Sequence, residues 1–470
     1  QFPFVWWIPE KRWISVADSF LQPPSSTPQA PAVWNDSCVY CHAVGGARGS
    51  MASASKTQTT VGELGISCEG CHGPAKDHVR AFRNPIARYA SHGRSTSPND
   101  IVQPSELTSD AADAICAQCH AVFVHLKSNK RDQNGDSFRP GDGLSATRFI
   151  LKLEPSPIPG RKAFLAAPNG RKIEVKHPTL DRATLVGLSP DGLYLEIKEP
   201  LTRLEVQIGT HKVVGRWHPS TSTHGLGLLA IDTWPRRAWA AALVTMGHPG
   251  GLLTQYDWDA FWPDGTIRTV GREYNGAIMS ACATHGPMTC ISCHTMHGGE
   301  ADDQLKPGFR GNEACQDCHQ DHVANPSAHS HHSEDSSGSL CYNCHMPHTT
   351  YGLLGATRSH RIDSPRPHLM NESGRPNACN LCHLNRTVSW AQSAVDKWWG
   401  DAKASPPDVG DSVAAGVKWA LSGDAAQRAM VAYHLGWPAA RATSQVDTWA
   451  PPILAELLDD DYAAVRAIAG

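Results

Sequence analysis

Seven times in 470 residues, a Cys-x-x-Cys pair is followed at once by histidine. The pentapeptides are Cys38-Val-Tyr-Cys41-His42, Cys68-Glu-Gly-Cys71-His72, Cys116-Ala-Gln-Cys119-His120 and Cys290-Ile-Ser-Cys293-His294, then Cys315-Gln-Asp-Cys318-His319, Cys341-Tyr-Asn-Cys344-His345 and Cys379-Asn-Leu-Cys382-His383. Two thiols at this spacing can add to the two vinyl groups of one haem, and the adjacent imidazole then lies beneath the iron. Zinc ribbons and disulfides also use Cys-x-x-Cys pairs, but neither needs that histidine. With 25 histidines in 470 residues, chance puts one after all seven pairs with a probability on the order of 10^-9. The expectation is seven covalently attached haem c groups, held by the fourteen motif cysteines. His42, His72, His120, His294, His319, His345 and His383 are the expected proximal ligands. Covalent haem is attached after export, which predicts a periplasmic or extracellular protein. Of fifteen cysteines, Cys282 alone lies outside the motifs, and it reads as a buried thiol.

Eighteen histidines remain once the proximal seven are set aside. Seven irons need partners, and the excess predicts bis-histidine coordination, which closes both axial positions and suits electron transfer. His297, His322 and His348 each follow a proximal histidine by three residues. A chain that short cannot wrap a macrocycle, so each is expected to reach a neighbouring haem. His78, His329, His332 and His360 complete the expected distal set. His92, His125, His248 and His285 are weaker candidates. Met288 and Met296 lie near a motif without a distinguishing pattern and read as packing.

The remaining composition excludes other classes. A formal charge of −3 offers no basic footprint for nucleic acid. No apolar run approaches the ~18 residues of a transmembrane helix. No signal-peptide pattern opens the chain at Gln1, and Tyr462–Gly470 ends inside a helical pattern. The natural protein is expected to continue past both ends.

The motifs fall in two groups, with Cys116 and Cys290 bounding a long interval. Four domains are expected: a three-haem region at 1–147, an inserted β module at 148–232, a four-haem region at 233–386 and a helical region at 387–470. The β module is read from alternating runs at 148–154, 172–176, 193–197 and 204–208, separated by Pro, Gly, Asn and Asp, as a small antiparallel barrel or sandwich. In the four-haem region the haems themselves are expected to form the core, with short helices and little sheet. Beyond His383 the pattern turns helical, with Gly400 as a C-cap, and paired helices suggest HEAT-type repeats. The expected fold class is therefore mainly α and irregular around a haem-organised core, with an inserted small antiparallel β domain and C-terminal α-helical HEAT-like repeats.

The runs Gly265–Gly276, Met288–His297, Cys341–Leu354 and Gly374–His383 resemble the doubled-CxxCH multihaem cytochromes related to the nitrite reductase and hydroxylamine oxidoreductase superfamily. That resemblance spans roughly residues 30–145 and 255–470 and leaves the β module outside it. It implies haem-based electron transfer, with other redox proteins or further copies of the chain as partners, in a relay, a larger complex or a filament. It also offers an alternative, an oxidoreductase of small nitrogen compounds with one open haem site, for which Arg272, Tyr274 and His285 are candidate pocket residues. Nitrite reductases of this type commonly carry one motif ending in lysine, whereas all seven here end in histidine.

Overall fold

The structure, a computed structural model, describes all residues except 1–3, 9, 22–33, 36–37, 50, 54–55, 92–100, 127–134, 178, 199–200, 249–254, 301 and 401–411. The chain forms two compact units. One comprises residues 25–150 and 281–310, together with residue 1; the other comprises residues 2–24, 151–280 and 311–470. The fourth motif, Cys290 to His294, thus belongs to the same unit as the first three, although it is closer in sequence to the fifth.

The first unit is built from short pieces. Its helix Ser109–Ala117 buries Ala112, Ala114, Ile115 and Ala117. The strand Phe123–His125 pairs antiparallel with Arg148–Ile150, in the register Phe123 to Ile150 and His125 to Arg148. Arg148 is buried, pairs with Asp136, and stacks its guanidinium over Phe123 and Phe138 at 4.8 and 5.1 Å. A buried cation needs such neighbours to offset its desolvation. The run at 148–154, expected to open the β module, therefore begins by completing a hairpin-like pair in this unit.

The second unit holds a closed antiparallel barrel. Its strands run in the order Leu180–Ser189, Gly192–Glu196, Leu226–Ala230, His211–Pro219, Arg203–Ile208 and Leu165–His177, with the last pairing back to the first. Period-2 alternation turns Leu204, Val206 and Ile208 to one face, and all three are buried, as are Leu185, Leu188, Leu193 and Leu229 on other strands of the barrel. Each such side chain contributes about 1.5–3 kcal/mol on burial. The helix Arg236–Thr245 packs across the strands Arg203–Ile208 and His211–Pro219, sinking Trp239, Ala242 and Leu243. Two glycines are fixed by close approach: a Cβ at Gly192 (φ +151°) would lie 2.0 Å from the Leu229 carbonyl oxygen, and one at Gly187 would lie 2.2 Å from the Phe164 ring.

The remainder of this unit is mostly helical. Thr387 caps the helix Val388–Trp399 by accepting from the Trp390 N–H at 3.0 Å, and Gly400 ends it in the left-handed conformation (φ 66°). Asp424 and Gln427 form a capping box on the helix Ala425–Gly436. Helices Ala415–Ser422, Pro438–Ser444, Pro451–Leu457 and Ala463–Ala469 complete an apolar core of Trp419, Leu435, Val446, Leu457 and Val465. Leu381 and Leu384, beside the last motif, are buried in that same core.

These features correct the expected fold class. The described residues are about 39% helix and 21% strand, so the chain is a mixed α and β protein and not mainly α and irregular around haem. Pattern counting missed this because the barrel and the helical segment each bury enough aliphatic surface to make a core of polypeptide alone.

Candidate haem sites

Each motif folds as about one helical turn. The His42 N–H donates to the Cys38 carbonyl at 2.8 Å, and the same i to i+4 bond joins His120 to Cys116 and His294 to Cys290 at 3.0 Å, and His319 to Cys315 and His383 to Cys379 at 2.9 Å. Cys68–His72 and Cys341–His345 are short helices outright. One turn places thiols three residues apart on one face, with the imidazole just beyond.

The donor chemistry fits haem c. None of the fifteen cysteines is in a disulfide. Among the described residues, no three His, Cys, Asp or Glu side chains converge on a site for a bare metal ion. Three motif histidines have Nδ1 beside a backbone carbonyl: His72 with Val102 at 2.6 Å, His294 with Asp303 at 3.0 Å and His345 with Asp363 at 3.1 Å. A carbonyl can only accept, so Nδ1 carries the proton and Nε2 keeps its lone pair for a metal. Burial also pushes His345 down, and it pushes His383 down to about 4, with His332 and Arg386 adding to the effect. Both shifts favour the neutral ring, the form that ligation requires.

Successive motifs touch. The Cys116 thiol lies within hydrogen-bonding reach of Cys290, and Asp113 accepts the Cys290 backbone N–H at 2.7 Å. Cys315 and Cys341 make the same kind of contact, braced by Asn312, whose side chain accepts from the Cys341 N–H and donates to the Ser339 carbonyl, both at 2.9 Å. Cys344 lies near Cys379 and Cys382. Ring systems attached at such thiols would be immediate neighbours.

The distal candidates divide by geometry. With metal–nitrogen bonds of about 2 Å on opposite faces, two imidazoles sharing an iron have ring centroids about 6 Å apart. His72 and His297 are 6.1 Å apart with an interplanar angle of 35°. His345 and His329 are 6.0 Å apart at 15°, and His383 and His332 are 6.2 Å apart at 38°. His322 stands 6.3 Å from His319 and 4.5 Å from His329. The Nδ1 of His78, whose ring is tilted 45° against Phe82, is buried with no hydrogen-bond partner among the described residues. His348 is buried against His434. His360 is half-buried, with Nδ1 3.3 Å from the Arg358 carbonyl.

The weaker candidates find other surroundings. His125 sits beside Phe123 and Tyr40. His285 is exposed beside Thr284. His248 is buried 3.3 Å from the Ala166 carbonyl, and burial holds it below the usual histidine range. His92 lies outside the described residues. Met296 is exposed and Met288 half-buried. Cys282 is half-buried near Cys293. Arg272 and Tyr274 belong to the second unit, whereas His285 belongs to the first. His331, within the histidine cluster at 329–332, stacks on Trp398 at 4.9 Å, and a histidine that pattern reading missed is His434, fully buried. His434 could have been noticed as one polar side chain on an otherwise apolar helix face.

A family model described as the doubled CXXCH motif matches residues 284–324, which contain the fourth and fifth motifs. No curated protein sequence matches the chain. Among solved structures, the crystal structure of outer cell wall cytochrome OcwA aligns over 99% of this chain and 81% of its own, at 14% identity and a TM-score of 0.38. A likeness at that score is too loose to define a shared fold. The doubled motif at 284–324, with the same Cys-x-x-Cys-His pattern recurring on either side, supports covalent attachment of haem c.

Proposed function

We propose that this protein carries electrons outside the cytoplasm through seven haems, most of them closed on both faces by histidine. The observation that carries the reading is the spacing of imidazole pairs: His72 with His297, His345 with His329, and His383 with His332, at 6.0–6.2 Å. Each pair joins a motif histidine to one from elsewhere in the chain, with room for an iron between the rings. A closed iron exchanges electrons and takes no substrate. His319 and His322 match the spacing too, but a macrocycle cannot thread between residues three apart, so His322 is assigned to a neighbouring iron. His78, His348 and His360 are the remaining distal ligands in this reading.

Contact between successive motifs supports transfer in series, since Cys116 meets Cys290 and Cys315 meets Cys341. Partners would be other redox proteins or further copies of the chain, in a relay, complex or filament, with the HEAT-like helices offering docking surface. No helix among the described residues is long and apolar enough to cross a membrane. The reading is tested by intact mass and haem quantification of the exported holoprotein. Seven haems per chain are expected, and fewer would remove one or more motifs from the series.

A further inference from the structure

The helix Ala425–Gly436 and the residue after it carry Met430, Tyr433, His434 and Trp437 at positions i, i+3, i+4 and i+7. That spacing defines one helix face, and the helix packs on the strand His348–Gly352. His434 is 0% exposed. Its Nδ1 lies 2.6 Å from the Met430 carbonyl oxygen, so Nδ1 must carry a proton. In the neutral ring Nε2 is then an acceptor, and it lies 3.0 Å from Nδ1 of His348. Nδ1 of His348 must therefore donate, which leaves its Nε2 with a free lone pair. Tyr433 and Trp437 meet the His348 ring edge to face at 5.7 and 5.3 Å and fix its plane.

We propose that His434 is a positioning residue: it holds His348 in the Nδ1-protonated tautomer, so that Nε2 is presented to a haem iron as an axial ligand. The inference rests on the reading of His348 as a distal ligand given above. It assigns the C-terminal helices a part in tuning haem as well as in docking. An imidazole that donates its outer N–H to a good acceptor becomes a more basic ligand. A more basic ligand favours ferric iron and lowers that haem's potential.

The test is an EPR-monitored redox titration of the holoprotein and its His348→Ala, His434→Phe, His434→Leu and His434→Gln variants, each with haem content measured. His348→Ala should turn one haem from low to high spin, reversed by added imidazole. His434→Phe keeps a ring but removes the acceptor, and should leave every haem low-spin while moving one titration step to higher potential. His434→Leu gives the same readout if the larger ring overpacks the site. His434→Gln, whose side-chain oxygen can accept, should shift that step less. If His348→Ala opens a haem but no His434 variant moves a potential, His434 only fills space, and this inference fails while the ligand reading stands. If His348→Ala leaves all haems low-spin, His348 is not a ligand and both readings of it fall.

Discussion

At the scale of single residues, the turn that each motif forms was legible, because Cys-x-x-Cys-His spans one turn of helix. Which iron a distal ring would face is not, because an offset along the chain does not encode it. His297 follows His294 by three residues, yet its ring stands 6.1 Å from His72. Substituting methionine at His297 should therefore perturb the haem of Cys68 and Cys71 and raise its potential. EPR should show the same low-spin signal altered by His72 and His297 variants; changes in two different signals would separate the pair. A second residue-scale prediction concerns stability. Asp264 pairs with Arg375 at 2.8 Å, with side chains 18% and 5% exposed. Burial raises the Asp264 carboxyl, but Arg375, the Thr266 N–H and Arg361 outweigh it and hold the group below the usual carboxylate range. A depressed folded value contributes stability that is present above the unfolded value of about 4 and lost as pH falls through the folded value. Asp264→Asn leaves the Arg375 cation buried and unpaired, and should cost about 3–5 kcal/mol at neutral pH. Denaturant unfolding as a function of pH should also show that variant losing less stability on acidification than the parent.

At the scale of elements, the alternating runs at 172–176, 193–197 and 204–208 announced strands, and all of those residues except Ile197 lie in barrel strands. The choice between a barrel and a sandwich was not legible. It depends on Leu165–His177 pairing with both Leu180–Ser189 and Arg203–Ile208, a register that no local pattern encodes. Arg148 misled in the same way: its run alternates like a strand of the module, but its partner strand is Phe123–His125. The Gly400 cap was readable because a left-handed terminus favours glycine. The share of sheet was underestimated because motif density near the cysteines says nothing about the aliphatic packing of segments between them. A barrel with its own core should respond to mutation without disturbing haem. Leu229→Ala, at a fully buried site, should cost about 2–5 kcal/mol. Far-UV and Soret melting curves check this: the visible haem spectrum at low temperature should match the parent, and a loss of haem ligation in the folded variant would tie the barrel to a site.

At the scale of the whole molecule, the proposed function makes this a chain that holds irons closed and adjacent. Motif turns would present the thiols, backbone carbonyls set the tautomers of His72, His294 and His345, and histidines from other segments would complete the axial pairs. Steps between closed irons need no substrate pocket, so the oxidoreductase alternative requires one iron that departs from this plan. The most direct measurement is the low-temperature EPR spectrum of the ferric holoprotein, recorded alone and with nitrite or hydroxylamine added. The account predicts low-spin signals from all the haems, unchanged by either compound. A high-spin signal that shifts on adding one of them would contradict it and identify an open haem as a reaction site.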